Sequence, residues 1–132
     1  MWLSVVAISA GAILGANLRW LLGWWLNALF PAIPPGTLVA NWLGAWLIGV
    51  AIGVFAWLPS VSAEWRLFAI TGFLGALTTF STFSVEMFAN VQAGRWVLAL
   101  GGIAAHVVGS LCLTGLGLAT VVLIRNVLGV AR

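Results

Sequence analysis

Thirteen residues, Gly72-Phe-Leu-Gly-Ala-Leu-Thr-Thr-Phe-Ser-Thr-Phe-Ser84, gather two glycines, three threonines and two serines in a chain that is otherwise almost wholly apolar. Within them Phe80 and Phe83 stand three apart, which places them on one face of a helix, interleaved with Ser81, Thr82 and Ser84. Phenyl edges carry partial positive charge, so two ring edges and a run of hydroxyl donors are groups that can replace water around a small anion. The same spacing also fits two phenylalanines that simply pack. Covalent chemistry is excluded more firmly: two carboxylates, one His and one Cys, spread over the chain, are too few for a metal-ligand cluster or a nucleophile with its base and orienting acid. The chain reads as a non-enzyme. Nor is there a basic run to grip a phosphate backbone, so nucleic acid is not an expected partner.

The elements that must hold those residues follow from composition. Of 132 residues, 64% are hydrophobic and 5% charged, with nine Trp and no Tyr, far from the make-up of a soluble domain. The charges fall at Arg19, Glu64, Arg66, Glu86, Arg95, Arg125 and Arg132. Since a bilayer core takes about 20 apolar residues per helix, the long uncharged run between Arg19 and Glu64 holds parts of two spans and a turn. The sum is an all-α membrane protein of four transmembrane helices, expected near residues 3–26, 36–58, 65–91 and 96–125 and forming a single domain over 1–132. Pro31, Pro34 and Pro35 end the first helix and Pro59 the second; Ser62 is a candidate cap for the third; Gly94 separates the third from the fourth. The apolar start has no basic segment ahead of it and reads as a retained helix. Trp2, Trp57 and Trp65 mark one membrane face, and Trp20, Trp24, Trp25 and Trp96 the other.

The polar stretch falls at the centre of the third helix, which is longer than a straight span needs. A non-helical break at mid-membrane is therefore expected there, tolerated by Gly72, Gly75 and hydroxyls that bond freed backbone groups. Such a break survives only where it is buried in protein or lines an aqueous path. Recurrent small residues, among them Gly11, Gly15, Gly44, Gly49 and Gly53, suit close helix packing beyond one subunit. Arginine is nearly balanced between the two faces, a bias small enough to permit both orientations. If both occur, an antiparallel dimer can form about a two-fold axis in the membrane plane, and two breaks meeting on it would bring four carbonyl oxygens together, a site for a small hard cation.

Other polar residues leave alternatives open. Arg19 can snorkel to the headgroups or attract an anion. Asn41 can be interhelical glue or a pore donor. Glu86 can be solvated, bonded to the hydroxyl run, or act on the ion. His106 reads as a neutral imidazole packed at a dimer interface. Cys112 has no partner for a disulfide.

Taken together, TGFLGALTTFSTFS, with PPGTLVANWLG upstream and GANLRW in the first helix, resembles the Fluc (CrcB) fluoride channels over nearly the whole chain. The resemblance implies a dual-topology antiparallel homodimer in the bacterial inner membrane that passively exports cytoplasmic fluoride through two pores, with a structural sodium ion on the two-fold axis. It implies sodium-binding backbone carbonyls at Gly75 and Thr78, pore-lining rings at Phe80 and Phe83, and a pore donor at Asn41. It further implies a polar track of Ser81, Thr82 and Ser84 with Ser110 nearby, Arg19 at an electropositive mouth, and Glu86 toward the opposite end. Ala76 stands where the family often has glycine. The competing expectation is a small multidrug-type, proton-coupled transporter; those carry an acid in the first helix, where this chain has Arg19.

Overall fold

The computed structural model describes residues 1–129, so Arg132 lies outside the described residues. Helix α1 is Trp2–Leu26, followed by a 3-10 turn over Asn27–Leu29, and α2 is Pro35–Trp57. A third segment begins with α3, residues 63–77, which opens as an α-helical turn, winds as a π-helix over Leu67–Leu74 and closes with the turn Gly75–Leu77. After two extended residues it continues as α4, Phe80–Gln92, and α5 is Trp96–Val127. Four stretches are long and apolar enough to cross a membrane: Trp2–Leu29, Pro35–Trp57, Ala63–Gln92 and Trp96–Val127. At about 1.5 Å per residue, each exceeds the ~30 Å of a hydrocarbon core.

The ends of these helices are tied down by side chains. Pro35 sits at the first position of α2, where its missing N–H costs nothing. Asn27 Oδ1 then accepts the N–H groups of Gly36 at 2.8 Å and Thr37 at 3.2 Å, capping α2 from the loop before it. At the far end of α2, Arg66 Nη2 donates to the carbonyls of Phe55 at 3.2 Å and of Leu58 and Pro59 at 3.4 Å, while its Nε reaches Val61 O at 3.2 Å. One guanidinium thereby satisfies carbonyls that a helix C-terminus leaves without donors. The Ser62 cap on α3 is made to Trp65 N at 3.5 Å.

Two glycine-lined contacts build the bundle, α1 on α3 and α2 on α5. A methyl at Gly15 would strike the Phe73 carbonyl, and one at Gly72 the Ile8 carbonyl. On the other side, a methyl at Gly49 would strike the Thr114 carbonyl and one at Gly117 the Trp46 carbonyl. Backbones this close gain dispersion contacts in a solvent as apolar as the side chains, where burial itself drives little. Between the two pairs lies a small core of Ala40, Leu74 and Leu77, covered by Leu18, Leu22, Leu43 and Leu47. Leu77, wholly buried, is the last helical residue before the extended pair. Trp2, Trp20, Trp24, Trp25, Trp65 and Trp96 face outward, as interface anchors must.

Gly49→Ala and Gly117→Ala each force a methyl into a carbonyl across the α2–α5 contact. Each is expected to destabilise the fold by about 1–3 kcal/mol, the usual cost of overpacking. Thermal unfolding in detergent checks this; an unchanged midpoint in both variants would refute the contact.

Candidate functional site

Helical backbone stops at Leu77 and resumes at Phe80. Thr78 (φ −78°, ψ 154°) and Thr79 (φ −148°, ψ 120°) are extended between them, in conformations any residue adopts without strain. What the pair loses is the helical hydrogen-bond ladder, and in an apolar environment each unpaired backbone group is costly. Thr78 N keeps its helical bond to Leu74 O at 3.0 Å, and Thr78 Oγ1 donates to the same carbonyl at 3.0 Å. For Thr79 the structure supplies replacements. Thr79 N donates to Asn41 Oδ1 at 2.7 Å, and Thr79 O accepts from Asn41 Nδ2 at 3.0 Å. The amide of Asn41, on α2, thus pairs with both polar groups of Thr79 as a neighbouring β-strand would. Thr79 Oγ1 caps α4 by accepting Thr82 N at 3.2 Å and donates to Thr82 Oγ1 at 2.9 Å. Arg19 Nε, from α1, donates to Ala76 O at 3.0 Å.

Beside the pair lies an open-sided cavity of about 550 Å³. Of the residues singled out from sequence, Asn41, Gly75, Thr78, Phe80, Phe83 and Ser110 line it together. Ser81, Thr82, Ser84, Arg19 and Glu86 are not on its wall. Phe80 and Phe83 meet edge to face, with centroids 5.4 Å apart and planes at 63°. Phe83 is buried, whereas Phe80 is 77% exposed, so one ring of the pair is uncovered in a single chain.

Several of these residues have partners within the chain. Arg19 is turned inward onto the Ala76 carbonyl, not outward to headgroups, because a carbonyl at the end of α3 needs a donor. Asn41 has both amide protons engaged inside the chain, one by Thr79 O and one by His106 Nδ1 at 3.0 Å. Ser84 Oγ gives its proton to Phe80 O at 2.7 Å. Glu86 Oε1 accepts from Thr37 Oγ1 at 2.5 Å, a hydroxyl of α2 and not of its own segment, while its Oε2 is buried without a partner among the described residues. His106 is buried within the chain itself, and its ring lies 4.6 Å from that of Phe83.

Thr37, Thr79 and Thr114 are the residues at or beside the site that sequence reasoning passed over, and His106, read as a packed neutral imidazole, was given no place on the cavity wall. Thr79 carried a signal, a threonine three residues before Thr82 at a helix start. His106 also carried one, since it stands one turn before Ser110. Thr37 had none beyond its place at the start of α2. Among the described residues no group of three or more His, Cys, Asp or Glu comes together.

The family described as CrcB-like protein, Camphor Resistance (CrcB), matches residues 6–118. The chain belongs to the CrcB-like family. It is 71% identical over 132 residues, the full length of both chains, to a protein of Chromohalobacter salexigens named fluoride-specific ion channel FluC. A protein of the same name from Marinobacter nauticus is 62% identical over 126 residues, covering 96% of this chain and all of the relative. One from Pseudomonas putida is 61% identical over 117 residues, 89% of this chain and 92% of the relative. These CrcB-like relatives are named as channels, a class that is not enzymatic. With four spans of membrane-crossing length, the chain is a multi-pass membrane protein of this channel family.

Asn41→Ala strips Thr79 of both backbone partners. It is expected to cost about 1–3 kcal/mol for a buried polar group left unpaired, read as a fall in the thermal midpoint in detergent. Wild-type stability in this variant would show that Asn41 does not hold the extended pair.

Proposed function

We propose that this chain is a fluoride-selective channel of the bacterial inner membrane that lets cytoplasmic fluoride leave passively down its electrochemical gradient. The observation that carries the reading is the cavity in which the Phe80–Phe83 pair meets Asn41, Thr79 and Ser110, in a chain 71% identical end to end to a protein named fluoride-specific ion channel FluC. Ring edges and hydroxyls offer partial positive charge without a fixed cation, which suits release as well as capture. Arg19 holds a guanidinium on Ala76, two residues before Thr78. Its charge favours anions near the site, and α1 carries no acid that could exchange protons for a cationic drug.

The functional unit in this reading is an antiparallel, dual-topology homodimer with two pores and the extended pair at mid-membrane. The 77% exposure of Phe80 supports it, since a large ring at the site lacks cover until a second copy supplies it. Ser81, Thr82 and Ser84 then continue the polar path beyond the rings, and Glu86 lies farther along α4. A sodium ion on the two-fold axis would be held by the carbonyls of Gly75 and Thr78 from each copy. The residues fit such a group. In a continuous helix those carbonyls would take the N–H groups of Thr79 and Thr82, but Asn41 Oδ1 takes the first and Thr79 Oγ1 the second. Oxygens left in this way suit a hard cation, which would neutralise converging carbonyl dipoles and hold the copies together.

Liposomes containing only the purified protein are expected to release fluoride rapidly under a potassium–valinomycin countercurrent and to retain chloride. Phe80→Ile and Phe83→Ile are each expected to cut fluoride flux by about tenfold or more, the effect of some 1.4 kcal/mol on a barrier, while leaving the dimer intact. Absence of fluoride release from folded wild-type protein would overturn the channel reading; normal flux in both variants would remove the ring edges from it.

A further inference from the structure

His106 is a cavity-wall residue whose chemistry is half used. Its side chain is 4% exposed, Nδ1 faces Asn41, and Nε2 is buried with no hydrogen-bond partner among the described residues. Buried polar groups in folded chains are nearly always paired, and each exception asks for an explanation. Whether Nε2 is a donor or an acceptor depends on which ring nitrogen carries the proton, and the surrounding backbone decides that.

The chain of constraints begins at Thr79. Its N–H can only donate, so the Asn41 atom 2.7 Å away must be the amide oxygen. Its carbonyl can only accept, so the Asn41 atom 3.0 Å away must be the amide nitrogen. The orientation of the Asn41 side chain is therefore set twice over by main-chain groups that have no alternative role. That leaves the second proton of Nδ2 pointing at His106 Nδ1, 3.0 Å away. An N–H cannot donate to another N–H, so Nδ1 is the bare nitrogen, the ring is neutral, and the proton sits on Nε2. Nε2–H is thus a buried hydrogen-bond donor with no acceptor among the described residues, on a ring that lines the cavity.

Its surroundings select the kind of acceptor. Phe83 packs against the ring at 4.6 Å between centroids, Phe80 adjoins Phe83 edge to face, and Ser110 lines the same cavity one helical turn along α5. Ring edges, a hydroxyl hydrogen and an imidazole N–H can each turn the positive end of a dipole toward an anion. We infer that His106 binds the permeating anion directly through Nε2–H, and that Asn41 acts as its positioning residue by relaying the orientation of the Thr79 backbone to the imidazole tautomer. This inference rests on the channel reading and deepens it: a neutral N–H donor rewards the anion that accepts hydrogen bonds most strongly, which among halides is fluoride.

Two amide isosteres separate the halves of the ring. An asparagine side chain reaches about as far as Nδ1, and a glutamine about as far as Nε2. His106→Asn is expected to keep an acceptor for Asn41 and a near wild-type thermal midpoint, yet to lose fluoride flux in liposomes by about tenfold or more. His106→Gln is expected to retain more flux than His106→Asn, even if less stable. Because the chain has a single histidine, ¹⁵N-histidine NMR of tag-free wild-type protein reads the tautomer without ambiguity. Nδ1 is expected unprotonated and Nε2 protonated, and fluoride titration is expected to shift Nε2 while leaving Nδ1 in place. A proton on Nδ1, an Nε2 resonance indifferent to fluoride, or wild-type flux in His106→Asn would each overturn the inference while a conducting wild type left the channel reading standing. A wild type that releases no fluoride would remove both.

Discussion

The pairing of the Asn41 amide with the backbone of Thr79 is the constraint on which the rest of the structure turns. A chain this apolar has little water to offer its interior, so two residues can leave the helical ladder only if other groups take over their hydrogen bonds. Asn41 does so with both ends of one side chain, and to do so α2 must approach the third segment closely. Gly44 makes that possible, since a methyl there would collide with Thr78 Cγ2, and Ala40 and Leu77 are fully buried beside it. The small residues of α2 are thus a condition for the extended pair, and the extended pair in turn diverts Thr79 N–H from the Gly75 carbonyl.

The same logic extends outward to the other helices. Arg19 from α1 takes the Ala76 carbonyl, and His106 from α5 takes the second proton of Asn41. The register of α5 is held independently: Trp42 Nε1 donates to Ala105 O at 2.9 Å, and Gly109 leaves room for the indole. His106, adjacent to that carbonyl, is consequently placed against both Asn41 and Phe83. Polar groups fixed in this way need no rearrangement when charge arrives, the general advantage of a preorganised site. In the proposed channel this rigidity also accounts for a selective path built with so few polar residues.

Much of this architecture was legible in one dimension. The long uncharged runs between arginines are enough to require four spans, because the free energy of placing charge in hydrocarbon dominates any other preference. Pro31, Pro34, Pro35 and Pro59 fall at or next to helix ends for reasons of covalent geometry. The hydroxyl-rich stretch from Gly72 to Ser84 drew notice because such side chains compete with the helical ladder, and the extended residues lie inside it. The roles of Arg19, Glu86 and His106 were not legible. Arg19 and Ala76 are 57 residues apart, Thr37 and Glu86 49, and Asn41 and His106 65.

Composition and spacing alone therefore settle an all-helical chain of four membrane-length spans with a polar segment in the third, since these follow from solvation and local backbone sterics. Folding decides which donor meets which acceptor. Asn41 binds Thr79, not water, and the His106 ring is turned toward Asn41, because the packing of α2 between the third segment and α5 brings distant residues within 3 Å or so of one another. A hydrogen bond is satisfied by whatever group arrives at the correct distance and angle, and no local pattern of residues encodes that arrival.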